Sequence, residues 1–422
     1  MTNTRARVTP LAYTDAEIAT LDLPGGPLSI TRGIGSGLAR RAGDAPGIFW
    51  AIGDRGPNLK IGPAVKLYGL TVVACHTDAE GAKVMPRPDI GPALSELRID
   101  GDTITLLRTL PLRGRSGATL SGLPTPGGAN SVSEPAIALD GTILAPDPSG
   151  ADTEGVAAAP DGGFWVADEY GPSLFRVAAD GAVLARWVPS GTEDLFAGAD
   201  YPVVGALPAI AARRQINRGV EALALSDDGA WLYLAFQSPL AHPDAEAHRM
   251  ARHVRIWKMD TATGTVVAQY LYPFDPPETF RRDCALGAVD WSDLKVSELV
   301  LLAPDRLLIL ERGSATTKLY AVQLDPAHET SPELLDDATR PTLEQLSADG
   351  LIGDLALTKT LILDTDDLPE IDADLEGLIV LSPNTLLLVN DNDFGTEGVQ
   401  TRFWRVKLAA DLPFGQVERE RF

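Results

Sequence analysis

The chain has little of what soft-metal or thiol chemistry needs. Two cysteines and five histidines serve 422 residues, and Cys75 and Cys284 stand far apart with no CxxC and no Cys/His cluster. That spacing excludes a zinc knuckle. Pro, Gly, Asp or Arg interrupts every apolar run before the ~18 residues of a membrane-spanning helix. The first thirty residues lack the apolar stretch of an export signal, which predicts a soluble, cytoplasmic chain. No GxSxG, HExxH or GxxxxGKS/T occurs, so the common serine-hydrolase, zinc-protease and P-loop signatures are missing. Positive charge is scarce as well: 36 Lys and Arg face 58 Asp and Glu, a formal charge of −22. Such a surface repels nucleic acid and anionic membranes and attracts cations.

What the sequence has is turns. There are 40 glycines and 32 prolines, and between them lie short β-branched and aromatic runs, the texture of many short strands. Four runs are clearest: Gly163 to Ala167, Trp231 to Ala235, Arg306 to Leu310 and Thr385 to Val389. Each follows a tight-turn dipeptide (Asp161-Gly162, Asp228-Gly229, Pro304-Asp305, Pro383-Asn384), of the kind that closes a hairpin. Before each turn another strand begins at a glutamate: Glu154, Glu221, Glu298 or Glu376. A polar residue then ends the second strand, at Glu169, Gln237, Glu311 and Asp391, which lie 15, 16, 13 and 15 positions beyond those glutamates. A further copy runs from Gly35-Ser36-Gly37-Leu38 to Asp54-Arg55, and a weaker one spans Ser95 to Leu107.

Repeats of strand, turn, strand and polar residue predict an all-β fold, a single β-propeller. The count of copies gives six blades, with five or seven as alternatives. Long loops at 110–134, 190–217, 237–253 and 326–372 separate the strands, with short helices expected at 203–214 and 331–349. Residues 1–27 form an N-terminal segment suited to supply a closing strand, and 28–422 form the propeller.

In a propeller the innermost strands line a central channel, so equivalent positions converge at one end. Repeated carboxylates there repel unless a proton, an arginine or a metal intervenes. Glu154, Glu221, Glu298, Glu376, Asp391 and Asn392 are therefore the candidate metal ligands, and their all-oxygen character points to Ca²⁺ or another divalent cation. The second polar series supplies candidate catalytic groups: Asp54 and Glu169 as bases, Arg55 and Arg312 as anion clamps. Asn58, Tyr170, Arg218 and Gln237 are the candidate substrate-binding residues. The competing expectation is that the glutamates only cap turns or pair with arginines between blades.

The strings DTEGVAAAPDGGFWVADEYGP (152–172), NRGVEALALSDDGAWLYLAFQSPL (217–240), VSELVLLAPDRLLILERG (296–313) and LEGLIVLSPNTLLLVNDNDFG (375–395), with GIGSGLARR and FWAIGDRGPN near the start, resemble the bacterial phytase-like proteins, the esterase-like activity of phytase family. The resemblance implies a propeller hydrolysing esters, phosphoesters or carboxylic esters. The expected substrate is a phosphoester, a small anionic ester is the expected partner, and the expected state is a monomer. It also implies that relatives are often exported. A carboxylesterase or lactonase with the same metal site is the first alternative, and a non-catalytic propeller with a structural metal is the second.

Overall fold

The computed structural model describes residues 6–128 and 133–414. Five sheets, antiparallel except for one edge strand of the second, follow one another along the chain. Blade 1 comprises Gly37–Ala39, Ile48–Ile52, Ala93–Asp100 and Thr103–Pro111; blade 2 comprises Thr153–Ala158, Phe164–Asp168, Ser173–Val177 and Val183–Pro189. Blade 3 is built from Val220–Leu225, Trp231–Phe236, His253–Asp260 and Val266–Pro273, and blade 4 from Lys295–Ala303, Arg306–Arg312, Thr317–Gln323 and Lys359–Asp364. Blade 5 joins Leu375–Ser382, Thr385–Asn390 and Phe403–Lys407 to the N-terminal strand Arg7–Leu11, with Arg7 opposite Lys407. The first strand of each blade packs on the first strand of the next, and blade 5 returns to blade 1. The chain is thus a β-propeller, closed by pairing its first strand with its last.

The blades number five among the described residues, one fewer than the count of repeats suggests. The weak copy at Ser95 to Leu107 is the outer half of blade 1: Ala93–Asp100 pairs with Ile48–Ile52, and Thr103–Pro111 pairs with Ala93–Asp100. The excursion 53–92 separates the two halves in sequence. It carries the helix Ile61–Tyr68 and the short strands Leu59–Lys60 and Lys83–Val84. With the hairpin Glu17–Leu23/Gly26–Thr31 it builds a small apolar cap around Leu28, Ile30, Leu59, Ile61 and Val84, and Phe394 of blade 5 packs into the same cluster.

The expected helix at 203–214 is instead a parallel fifth strand of blade 2, Val203–Leu207, followed by a 3₁₀ turn at Ala209–Arg213. Two adjacent valines favour the strand, and Pro208 ends it. At 331–349 the helix is confined to Leu343–Ala348, started by a Thr342/Gln345 capping box.

Between blades the core is aromatic and aliphatic, as where Trp50 of blade 1 meets Phe164 of blade 2 with ring centroids 5.0 Å apart. Around the axis the contacts are backbone to backbone. A Cβ on Gly155 would lie 2.4 Å from the Glu221 carbonyl oxygen, and one on Gly37 would lie 2.6 Å from that of Glu154. At these two positions only glycine permits so close an approach.

Candidate metal centre

Four inner strands carry the same irregularity. The pairing register shifts by one between Thr153 and Val156, Val220 and Ala222, Val296 and Glu298, and Leu375 and Gly377. A bulge re-aims one side chain and ends regular pairing beside a site. The residues just inside the first paired position are Glu154, Glu221, Ser297 and Glu376. On the partner strands, the residues just past the matching positions Asp168, Phe236, Glu311 and Asn390 are Glu169, Gln237, Arg312 and Asp391. Asp54 follows blade 1 in the same way.

Glu298 and Glu311 therefore stand one residue out of the register in which the sequence groups them. Glu298 occupies the position that is Gly155, Ala222 and Gly377 in other blades. Its fully buried carboxylate accepts from the backbone N–H groups of Leu38 (3.0 Å) and Leu299 (3.1 Å), and from that of Leu378. It fills the axis where its neighbours are small, and it joins blades 1, 4 and 5 rather than the acidic cluster.

At the mouth, Asp54, Asp152 and Glu154 each bring a carboxylate oxygen to within 4.8 Å of the others; Asp54, Asp391 and Asp393 do the same. Asp54 is common to both trios. The first trio is buried, whereas the second opens to solvent through Asp393. Around them, buried Glu169 Oε1, Glu221 Oε2 and Gln237 Oε1 have no hydrogen-bond partner among the described residues. Asp393 and Phe394 hold positive φ, 46° and 56°, strain of the kind concentrated where a site fixes its geometry.

Burial raises the Asp54 carboxyl, but a hydrogen bond with Asp152 and the Arg55 guanidinium outweigh it and hold Asp54 below its usual range. Asp152 is pushed well up, first by burial, with Asp54 and Glu169 adding to it. Such a pair shares a proton or a cation. Burial and then Glu221, Asp152 and Asp54 also raise Glu154. Glu169 is pushed up to about 7 by burial and by Glu221, and Glu376 to about 8, chiefly by burial against the pull of Arg312.

The two expected anion clamps have their donors occupied. Arg55 pairs with Asp54 and Asp152, reaches Glu134 at 2.8 Å and the Asn217 side chain at 2.6 Å, and lies over the Tyr170 ring at 4.7 Å. Arg312 binds Asp374 at 2.6 Å, Glu376, and Ser297 Oγ at 2.9 Å. Tyr170 accepts from Arg55 at 3.2 Å and donates to the Gly122 carbonyl at 3.0 Å. Asn58 donates to Asp54 at 3.3 Å and so orients it. Gln237 donates to Glu221 at 2.7 Å. Asn392 is used up in the loop: it accepts from Phe394 N and donates to Asp15, Thr31 and the Arg32 carbonyl.

Asp152 and Lys295 were not singled out from sequence, whereas Asp393 belongs to the Asp391-Asn392-Asp393 cluster that the sequence offers as a metal candidate. The signal for register was the 13-residue spacing of Glu298 and Glu311 against 15 or 16 elsewhere; Ser297 to Arg312 restores 15.

Fold and site together define a five-bladed propeller with a carboxylate cluster at one end of its inner strands. The chain belongs to the phytase-like family described as esterase-like activity of phytase, whose model matches residues 31–394. An uncharacterized secreted protein of Arthroderma benhamiae is 27% identical over 354 residues, which are 76% of this chain and 65% of that protein. This chain thus spans about two thirds of its relative's length. Among solved structures, a luciferin-regenerating enzyme is 10% identical, covering 90% of this chain and 79% of that one at a TM-score of 0.33. The Swd1 β-propeller domain of Myceliophteria thermophila is 10% identical, covering 94% and 100% at 0.34. The strand pairing of this chain, not these low scores, defines its propeller. No helix among the described residues is long and apolar enough to cross a membrane.

Proposed function

We propose that the chain is a divalent-cation-dependent hydrolase of ester bonds, with Ca²⁺ as the cation and small anionic phosphoesters preferred over carboxylic esters. The observation that carries this reading is the pair of carboxylate trios sharing Asp54, ringed by buried carboxylate oxygens that lack partners. An unpartnered buried acceptor is costly, and hard oxygen donors in a crowded set suit Ca²⁺. Asp54, Asp152 and Glu154 would hold the cation, with Asp391 and Asp393 on the solvent side. Bound there, it supplies Lewis-acid polarisation of the phosphoryl or carbonyl oxygen.

The chain's own groups divide the remaining work. Asp54, kept ionised by Arg55, serves as a ligand rather than a base. Glu169, with a carboxyl near 7 and a free Oε1, takes a proton from the attacking water at that oxygen. Arg55 and Asn58 hold Asp54 in place. Arg312 keeps Glu376 and Asp374 oriented at the far wall.

The test is turnover of chromogenic phosphate mono-, di- and triesters and of acetate esters, before and after EDTA and after Ca²⁺ add-back. The expected result is phosphoester turnover lost with EDTA and restored by Ca²⁺, with Tm following the same cycle. No turnover of any ester, with Tm indifferent to EDTA, would overturn the reading; turnover of acetate esters alone would reassign the substrate.

A further inference from the structure

The five blades do not contribute equally to the mouth. Blades 5, 1 and 2 are contiguous around the ring and present Glu376 and Asp391, Asp54, and Asp152, Glu154 and Glu169. Blades 3 and 4, also contiguous, break the series: blade 3 keeps Glu221 on its inner strand but has Gln237 on the next, and blade 4 has Ser297 and Arg312, where blades 2 and 5 have acids at both positions. The same substitution extends one position outward. The residue that pairs with the mouth residue of the second strand is Asp152 in blade 2, through Glu169 N–H to Asp152 carbonyl at 2.8 Å, and Asp374 in blade 5, through Asp391 N–H at 3.2 Å. In blade 4 the equivalent residue, opposite Arg312, is Lys295. In blade 3 it is Gly219, directly after Arg218, through Gln237 N–H at 3.0 Å.

Backbone bonds bring these cations together. Gln237 N–H donates to the Gly219 carbonyl, and Val296 N–H donates to the Gln237 carbonyl at 2.9 Å, so Arg218 and Lys295 flank Gln237 on adjoining strands. Arg218 Nη1 is shielded from solvent and has no hydrogen-bond partner among the described residues. Among the described residues neither Arg218 nor Lys295 forms an ion pair within 4.0 Å, whereas Arg312 beside them is fully engaged with Asp374 and Glu376. The Lys295 ammonium is held down to about 8, first by Arg312, then by burial and Arg218, which places three cations within electrostatic reach of one another. Glu169 and Glu221 offset part of this charge at Arg218. They supply no hydrogen bond to its Nη1.

We infer that Arg218 and Lys295 form an oxyanion-binding subsite on the basic half of the mouth, facing the acidic half, and that it takes a phosphate group of the ligand. Three cations crowded at low dielectric repel one another; an anion between two of them removes that repulsion and satisfies the free guanidinium donor. A phosphate with nearly two charges fits three cations better than a singly charged carboxylate. The subsite concerns binding alone and stands apart from the hydrolytic reading, although it would supply the phosphoester preference proposed above.

The test is isothermal titration of the Ca²⁺-loaded protein with inorganic phosphate, and separately with acetate, near pH 7. Phosphate should bind wild type and bind Arg218→Met and Lys295→Met at least tenfold more weakly, with Ca²⁺ affinity in each variant within twofold of wild type. Lys295→Arg, which keeps the charge, should retain phosphate binding and so separates charge from fold. No phosphate binding by wild type, or equal binding by both Met variants, would overturn the subsite; acetate binding as tightly as phosphate would overturn the phosphate assignment. These outcomes do not depend on turnover, so failure of the hydrolase assay leaves them readable.

Discussion

Asp168 and Glu169 are neighbours on one strand end of blade 2, both buried, and their surroundings are opposite. Asp168 Oδ2 accepts from Ser173 Oγ at 2.6 Å and Arg186 Nη2 at 2.7 Å, and Oδ1 accepts from Asp152 N–H at 2.7 Å. Arg186, fully buried, also lies over the Phe175 and Phe196 rings. Glu169 leaves Oε1 without a partner. Blade 4 repeats the contrast at the equivalent strand end. Glu311 is saturated by Lys359 Nζ at 2.6 Å, the Tyr272 hydroxyl and Asp275 N–H at 2.6 Å, while the next residue, Arg312, faces the mouth. In blade 5 Asn390 is fully bonded to Arg402 N–H and the Asp391 and Gln400 carbonyls, and Asp391 joins the metal trio. Alternation along a strand explains this: one side chain locks the blade and its successor lines the channel.

Breaking the locked member should therefore cost stability, and changing the lining member should cost function. The largest expected effect is at Asp168→Ala. It strands the Arg186 charge at a site with no solvent, which should lower unfolding free energy by about 3–5 kcal/mol, measured by urea unfolding. A loss below about 1 kcal/mol would mean that the two positions are not distinct in kind. Next comes Glu169→Gln, which should reduce ester turnover by about 10²–10⁴-fold and leave metal-free stability unchanged or higher, because a strained carboxylate is removed. Retained turnover would dismiss Glu169 as the base.

Glu298 tests the axis. Its carboxylate serves backbone N–H groups of three blades, so Glu298→Ala should cost about 1–3 kcal/mol for donors left unmet, with Ca²⁺ affinity intact. A large loss of Ca²⁺ affinity would return Glu298 to the ligand set.

The strands and tight turns were legible because period-2 runs and Asp-Gly dipeptides are local signals. The blade count was not, because 53–92 splits blade 1 between Ile52 and Ala93. The acidic mouth was legible as a repeated glutamate, yet its register was not: a bulge adds one residue to the inner strand, which sequence spacing registers only as a deviation at Glu298. Partnering was hidden altogether. Nothing in the string ERG says that Glu311 is saturated and that Arg312 faces inward, or that Arg55 is enclosed by Asp152 and Glu134 from distant loops.

The smallest effect separates the two kinds of carboxylate by pH. In the metal-free protein Glu169 titrates at about 7 and Glu376 at about 8, both above an unfolded value of about 4.3. Between these limits the folded state binds more protons than the unfolded one, so their contribution is fully present below about pH 4.3 and is lost as pH rises through 7 and 8, at a slope of up to about 1.4 kcal/mol per pH unit for each proton. Metal-free stability should fall from pH 6 to pH 8 in urea titrations, and Glu169→Gln should flatten part of that fall. Saturating Ca²⁺ should shrink that fall, since a cation held by Asp54, Asp152 and Glu154 favours the ionised form of the carboxylates around it. A fall of equal slope with and without Ca²⁺ would show that these carboxylates do not feel the ion, and the lining positions would then differ from the locked ones only in lacking partners.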